Sequence, residues 1–399
     1  MTMMRWRSTT LTVIFSLSLA LILGACGGGG TNNPPATPNS LTQPTAESGT
    51  SVVATSEIPT STPVAGTTTG EALPTGTLIL AQLNQFVAQL PGGRSLNLAE
   101  DRIGTLGSPD GRYGIRYAVN GSTVNLVLVD YSQTPPTTKD IPSGDGMSSP
   151  TVTWRADSLG FAFADIPMPD QTGRAKKTIY QFDLAGGQSR ELVNESANAN
   201  AYPVPIAYSP DSRYLIYILN NAGAESSASV AANQAVLLDV SAGTKTPLPE
   251  ATTIGFSGWL KDGSGYLVVN YSAEGVAQLA RYNLNALQSP TTLTPAGASD
   301  RLIALSPDGK FVVIASDPVG QNPGATNIYR MGIDGANRQQ LTQFSDTTQT
   351  ITGLAWGADG IYYSLYAGAD QDTVYRMDLD GKNATQVAQG TLQGIVGLR

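Results

Sequence analysis

Short apolar runs separated by polar turns recur along most of the chain, beginning near residue 101. The copies read "LGSPDGRYGIRYAV", "TWRADSLGFAFADI", "AYSPDSRYLIYIL", "GWLKDGSGYLVVNY", "ALSPDGKFVVIAS" and "LAWGADGIYYSLYA". Their shared aspartates are Asp110, Asp157, Asp211, Asp262, Asp308 and Asp359, spaced 47, 54, 51, 46 and 51 residues apart. A period of that size marks a repeat architecture. After each turn, four to seven residues alternate or run apolar with Val, Ile, Tyr and Phe prominent, which predicts strands. The turn chemistry agrees. Pro109, Pro210 and Pro307 pre-set φ, the aspartates tolerate the bridge region, and Gly111, Gly263, Gly309 and Gly360 are expected at positive φ. A second pair of apolar runs, as in "NIYRMGIDGANRQQLT" and "TVYRMDLDGKNATQVA", turns on Asp-Gly. Each repeat thus predicts four short antiparallel strands, A to D, the make-up of a propeller blade.

The stretch "LSPDGKFVVIAS…NIYRMGIDGANRQQLT" resembles the WD40-like (PD40) propeller repeat of the TolB family, with its S-P-D-G-K turn, I-Y-x-x-D-x-D-G and L-T. The resemblance spans residues 101–392 in six copies and is weakest around Asp157 and Asp262, where proline is missing. A seventh unit is expected from the two ends of the domain. "VAQLPGGRSLNLA" aligns with "QFDLAGGQSRELV" as strands C and D, "GTLILAQ" supplies strand B, and "GIVGLR" matches "ITGLAW" as strand A. The expected fold is an all-β, seven-bladed propeller of four-stranded antiparallel blades whose closing blade is shared by the N- and C-termini. TolB carries an α/β domain ahead of its propeller. Here that place has linker composition, so TolB's envelope role is not implied.

The N-terminal region changes the picture of where such a domain works. Arg5 and Arg7 precede the apolar run Leu11–Leu23, too short to span a bilayer comfortably, and "LGAC" then resembles the lipobox of bacterial lipoproteins. Residues 1–25 are read as a lipoprotein signal peptide and Cys26, the only cysteine, as the lipidated first residue of the mature chain. Two or more acyl chains anchor stably where one does not. Residues 26–72 are rich in Gly, Pro, Thr and Ser without aromatics, a composition expected of a disordered tether, and residues 73–399 form the propeller. The expected location is extracytoplasmic, on the cell membrane or the outer membrane.

Composition then excludes chemistry. The chain has no histidine, which rules out Ser-His-Asp and Cys-His catalysis and His-ligated zinc or haem. One cysteine allows no intramolecular disulfide. A net charge of −8 without a long basic run argues against nucleic acid as a partner. The predicted A strands, "IGTLG", "TVTW", "VPIAY", "IGFSGW", "LIAL", "ITGLAW" and "IVGL", contain no charged residue, which speaks against a channel-centred active site. The six turn aspartates are read as structural caps, together with Gly111, Gly263, Gly309 and Gly360. Asp378, Asp380 and Asn383 lack calcium-loop spacing and are read as a C–D turn. Trp154, Tyr208, Trp259 and Trp356, each three residues before a turn aspartate, are expected to pack between blades. No metal and no cofactor is expected.

Recognition is expected on the face carrying the B–C and D–A loops, where residues 167–177, 220–234 and 317–326 are long. Asp101–Arg102 and Asp300–Arg301 precede A strands four blades apart and are candidates for a binding rim, as is the basic group Arg174, Lys176 and Lys177. Solvated surface charges are the alternative for each. The expected function is a monomeric, non-catalytic scaffold that binds another envelope protein or an extracytoplasmic ligand. A carboxylate-dependent polysaccharide hydrolase or lyase, and a small-ligand sensor, are the alternatives.

Overall fold

The computed structural model describes residues 72–83, 85–120, 123–141, 151–164, 178–195, 201–221, 233–272, 276–318, 326–346, 348–366 and 372–397. The chain divides into two units, Met1–Ile58 and Pro59–Arg399, and every described residue belongs to the second. That unit is a seven-bladed β-propeller. Blade 1 is β4 (Tyr113–Asn120), β5 (Thr123–Asp130) and β6 (Thr137–Asp140). Blade 2 is β7 (Thr151–Trp154), β8 (Gly160–Ala164), β9 (Thr178–Asp183) and β10 (Gln188–Asn194). Blade 3 is β11 (Ala201–Tyr208), β12 (Tyr214–Asn221), β13 (Gln234–Asp239) and β14 (Lys245–Pro247). Blade 4 is β15 (Phe256–Trp259), β16 (Gly265–Tyr271), β17 (Ala277–Asn283) and β18 (Thr291–Thr292). Blade 5 is β19 (Ala298–Leu305), β20 (Phe311–Pro318), β21 (Asn327–Gly332) and β22 (Gln339–Gln340). Blade 6 is β23 (Thr350–Trp356), β24 (Ile361–Tyr366), β25 (Thr373–Met377) and β26 (Thr385–Gln389). Blade 7 is β27 (Thr391–Ile395), β1 (Leu78–Gln82), β2 (Gln85–Gln89) and β3 (Ser95–Leu98), so the two ends of the domain share one sheet.

Three expectations are corrected. The closing strand lies three residues earlier than "GIVGLR" implies: Leu78 pairs with Ile395 and Leu80 with Leu392, with Gln393 bulged out between. β23 carries the same bulge at Thr352, between Ile351 and Gly353, so Gly394 corresponds to Gly353. Blade 1 has no strand A. "IGTLG" instead holds a 3-10 turn, Gly104–Leu106, just after another at Glu100–Arg102, and only an isolated bridge, Gly107 to Gly114, keeps the strand's place. Gly104 sits at φ +57°, which breaks the extended conformation there. The innermost strands are also not free of charge, because β19 starts early enough to include Asp300 and Arg301. A short helix absent from the sequence reading, α1 (Glu250–Gly255), connects blade 3 to blade 4.

Each blade is buried on both faces, so its inner strands read as continuous apolar runs rather than clean alternations. In β12, Leu215 and Tyr217 face blade 2 while Ile216 faces blade 4. Seven apolar clusters fill the seven seams. Between blades 6 and 7, Val374 meets Leu78, Leu80, Leu392 and Ile395; between blades 7 and 1, Ile79 and Leu98 meet Leu73, Val396 and Ile103. The repeated tryptophans pack between blades as expected. Trp154 stacks on Tyr113, Trp259 on Tyr214 and Trp356 on Phe311, at centroid separations of 6.2, 6.4 and 6.3 Å. Tyr208 reaches across its seam to Gln181 Oε1, 3.1 Å away. Burial raises its phenol pKa, with nearby Arg155 opposing.

Candidate binding face

The A–B and C–D turns lie on one face of the ring. Three turns share a single network. In blade 1 the Ser108 hydroxyl donates to Asp110 Oδ1 (2.6 Å) and accepts from the Tyr113 N–H (2.9 Å), while Asp110 Oδ1 also accepts from the Arg112 N–H (3.0 Å). Ser209–Asp211–Arg213–Tyr214 and Ser306–Asp308–Lys310–Phe311 repeat it. Asp157 and Asp262 accept from the N–H two residues on, Leu159 and Ser264, as caps of their own turns. Asp359 differs: its carboxylate accepts from the Tyr362 hydroxyl (2.9 Å) and pairs with Arg376. Gly111, Gly263 and Gly309 have φ near +70°, and Ser158 and Ser212 take that position in blades 2 and 3. Gly360 is not at positive φ. A Cβ there would stand 2.5 Å from the Met377 carbonyl, so close approach, not turn geometry, demands glycine.

The serine of S-P-D is the residue the sequence reading missed, although its recurrence before three of the six aspartates was the available signal. Ser306 is 5% exposed. Ser306→Ala is expected to lower stability by about 1–3 kcal/mol, because the buried Phe311 N–H loses its acceptor; urea unfolding measures it.

Charges on this face are mostly tied within blades. Arg112 pairs with Asp130, Arg155 with Asp183, and Arg213 with Asp239. Asp378 is held by Asn383 Nδ2 and by Arg376, and Asp380 by Lys382, which leaves a C–D hairpin turn rather than a calcium loop. Hydrogen bonds from the Ala242 N–H and the Ser241 hydroxyl, then from Arg213, hold Asp239 down at about 2, from 3.8. Asp308 is lowered by the Ser306 hydroxyl and the Lys310 N–H, and Asp378 by Asn383 and Arg376. Carboxyls depressed in the fold stabilise it fully above about pH 4 and lose that contribution as pH falls towards 2. No histidine titrates between pH 5 and 8. The melting temperature is therefore expected to be flat from pH 5 to 8 and to fall steeply below pH 4.

The opposite face carries the B–C and D–A connections, and three of the candidate rim charges, Asp101, Arg102 and Asp300, are buried rather than on its surface. Asp101 is 4% exposed; its carboxylate accepts from the Tyr131 hydroxyl (2.6 Å) and from Arg116 Nη2 (3.2 Å). Arg102, 5% exposed, donates to the Gly111 carbonyl (2.8 Å) and lies 4.1 Å from the centre of the Tyr131 ring. Burial lowers the Arg102 pKa against the pull of Tyr131 and Asp101, and burial followed by the Asp101 hydrogen bond raises that of Tyr131. This knot holds the 3-10 turns where strand A would lie. Asp300 is 1% exposed and accepts from the Thr294 hydroxyl (2.6 Å) and the Leu279 N–H (2.9 Å), tying blade 5 to blade 4. Arg301 alone of the four reaches solvent, from the β19 bulge, and it pairs with Asp317. Asp101 and Arg102 are thus bonded within blade 1, and Asp300 in the seam between blades 4 and 5. Cys26, Arg174, Lys176 and Lys177 lie outside the described residues, as does most of the three long loops.

Beside Arg301 this face exposes apolar side chains, among them Tyr271 (46%), which ends β16 in blade 4. Tyr366 (43% exposed) ends β24, Leu83 (65%) follows β1, and Tyr117 (39%) and Val119 (74%) end β4. These are the B–C ends of blades 6, 7 and 1, neighbours in the ring. The chain enters on the far side: the Leu73 N–H meets the Gly111 carbonyl at 3.5 Å and the Gly76 N–H the Val396 carbonyl at 2.9 Å.

Comparison with solved structures finds other propellers. A prolyl endopeptidase is similar with a TM-score of 0.52 at 14% identity, over 81% of this chain and 51% of that one. An oligogalacturonate lyase from Vibrio parahaemolyticus gives 0.51 at 13%, over 80% and 85%. TolB from Acinetobacter baumannii gives 0.41 at 16%, over 80% and 82%. No family model matches the chain, and no curated protein does. Identities this low speak to architecture alone. Topology and seam packing, with the likenesses to the endopeptidase and the lyase, make the chain a seven-bladed β-propeller.

Proposed function

We propose that this protein is an exported, lipid-anchored propeller that captures another envelope protein through its B–C face and catalyses no reaction. The observation that carries it is the arc of exposed apolar side chains on blades 6, 7 and 1, Tyr366, Leu83 and Val119. Contiguous exposed apolar surface on a rigid frame marks an interaction site. The lipobox at Cys26 supports the anchor, and the first described residues of the domain, Leu73 to Gly76, lie at the turn face, opposite the apolar arc. The rival reading, a carboxylate-dependent hydrolase or lyase, needs Asp101 and Asp300 to converge on substrate. Asp101 is instead bonded within blade 1 and Asp300 across the seam to blade 4, which favours the scaffold. The test is crosslinking of the full chain in its own membranes. Leu83→Glu with Val119→Glu is expected to reduce the crosslinked partner at least tenfold, while Leu379→Glu, on the turn face, leaves it unchanged. Equal yields from all three proteins would refute the arc, and robust turnover of a polysaccharide by the purified chain would refute the non-catalytic reading.

A further inference from the structure

On the turn face, among the described residues, opposed charges line a cavity without pairing. Between blades 4 and 5 a cavity of about 260 Å³ is lined by Lys261, Asp262, Arg281 and Asp308 over a floor of Leu260 and Ile333. In blades 1, 2, 3 and 6 the turn-face arginines are bound to aspartates of their own blade. Here, among the described residues, neither Lys261 nor Arg281 makes an ion pair; Arg281 Nε donates to Asn283 Oδ1 at 3.1 Å. Asp262 and Asp308 use Oδ1 to cap their own turns, and no described donor meets either Oδ2. Both carboxyls are held below the ordinary range, Asp262 chiefly by the Ser264 N–H and hydroxyl with a smaller effect of Arg281, so both are ionised at neutral pH. Gly309 lies so close to the Lys261 stem that a Cβ would stand 2.7 Å from Lys261 Cβ, which packs the two blades' turns together around the cavity.

From this arrangement we infer that the cavity between blades 4 and 5 binds a small zwitterion, a primary ammonium joined by a short linker to a phosphate or carboxylate. The ammonium donates to the free oxygens of Asp262 and Asp308, and the oxyanion takes Lys261 and the planar fork of Arg281. The cavity falls below the roughly 300–1,000 Å³ of drug-sized sites, which suits a ligand of this size. Two paired opposite charges recognise such a molecule together and its halves poorly. The site lies on the face where the chain enters and is independent of the apolar arc.

The test titrates the full chain with O-phosphoethanolamine and with β-alanine, using phosphate alone, ethanolamine alone and phosphocholine as controls, by isothermal calorimetry and thermal shift. Saturable binding of at least one zwitterion is expected, at least tenfold tighter than any control, because a quaternary ammonium cannot donate to the carboxylates. Arg281→Gln and Asp262→Asn should each weaken it at least tenfold when compared well below each variant's own melting temperature; asparagine keeps an acceptor for the turn, so Asp262→Asn stays folded there while losing the stabilisation its carboxylate provides. No saturable binding of either zwitterion, equal affinity for a control, or full affinity in both variants would overturn the inference. Once binding is established, sedimentation of a soluble chain starting after Cys26 with phosphatidylethanolamine but not phosphatidylcholine vesicles identifies the source as a lipid headgroup. Binding to the dissolved zwitterion without sedimentation identifies a free solute.

Discussion

A chain ending at Gly390 is expected to lose its cooperative unfolding transition or to melt about 10 °C or more below the full chain. The deletion removes β27, the innermost strand of blade 7. Leu392, Ile395 and Val396 are 5%, 5% and 6% exposed, and each such side chain contributes about 1.5–3 kcal/mol on burial. The β27 ladder on β1 and the Gly76-to-Val396 and Gly397-to-Pro109 hydrogen bonds go with it. Two sheet edges and the seams on both sides of blade 7 then open to water. The sum is on the order of 6 kcal/mol, a large share of what a domain has. Calorimetry checks it. Removing only Leu398 and Arg399, which follow the strand, should cost little by comparison.

Asp372→Ala is expected to be the most damaging single side-chain change at that seam. Asp372 precedes β25 and is 8% exposed. Its Oδ2 accepts from the Thr391 hydroxyl of β27 (2.6 Å) and from the Thr352 hydroxyl of β23, joining the innermost strands of blades 6 and 7. Ser364 extends the network, accepting from the Leu392 N–H at 3.2 Å. Hydrogen bonds to a charged group contribute about 1.5–3 kcal/mol each, so losing two at a buried site costs about 3–6 kcal/mol. Asp372→Asn, which keeps one carbonyl acceptor, should recover about half. Urea unfolding separates the two variants, and equal stability of Asp372→Ala and the parent would remove Asp372 from the closure.

The repeat, the blade composition and the shared closing blade were legible because each rests on local pattern: turn chemistry every 46 to 54 residues and apolar runs between. The register of β27 was not. "GIVGL" and "ITGL" invite alignment of Gly397 with Gly353, and only the bulge at Gln393, a feature of pairing rather than of composition, moves the match to Gly394. Blade 1 lost its strand A for a tertiary reason, because Asp101 and Arg102 find partners in Tyr131, Arg116 and Gly111 that a strand would not reach. The same fact undid the rim. A charged pair just before a predicted strand looks solvated in sequence, and whether it is buried depends on a tyrosine 30 residues away. The apolar arc was invisible for the converse reason: Val119 sits in an apolar run that reads as buried strand, yet it is 74% exposed near the end of β4.

The account rests on the two ends of the domain sharing one blade in a defined register, and a cysteine pair tests that directly. Ala81 and Thr391 are partners across β1 and β27. Directly opposed residues of antiparallel strands stand about 4.5–5.5 Å apart at Cα, within disulfide reach. With Cys26 replaced by serine, Ala81→Cys with Thr391→Cys is predicted to form an intramolecular disulfide quantitatively on mild oxidation and to raise the melting temperature. Two free thiols in a folded protein, or efficient bridging of Ala81→Cys to Gly394→Cys instead, would contradict the closure as described.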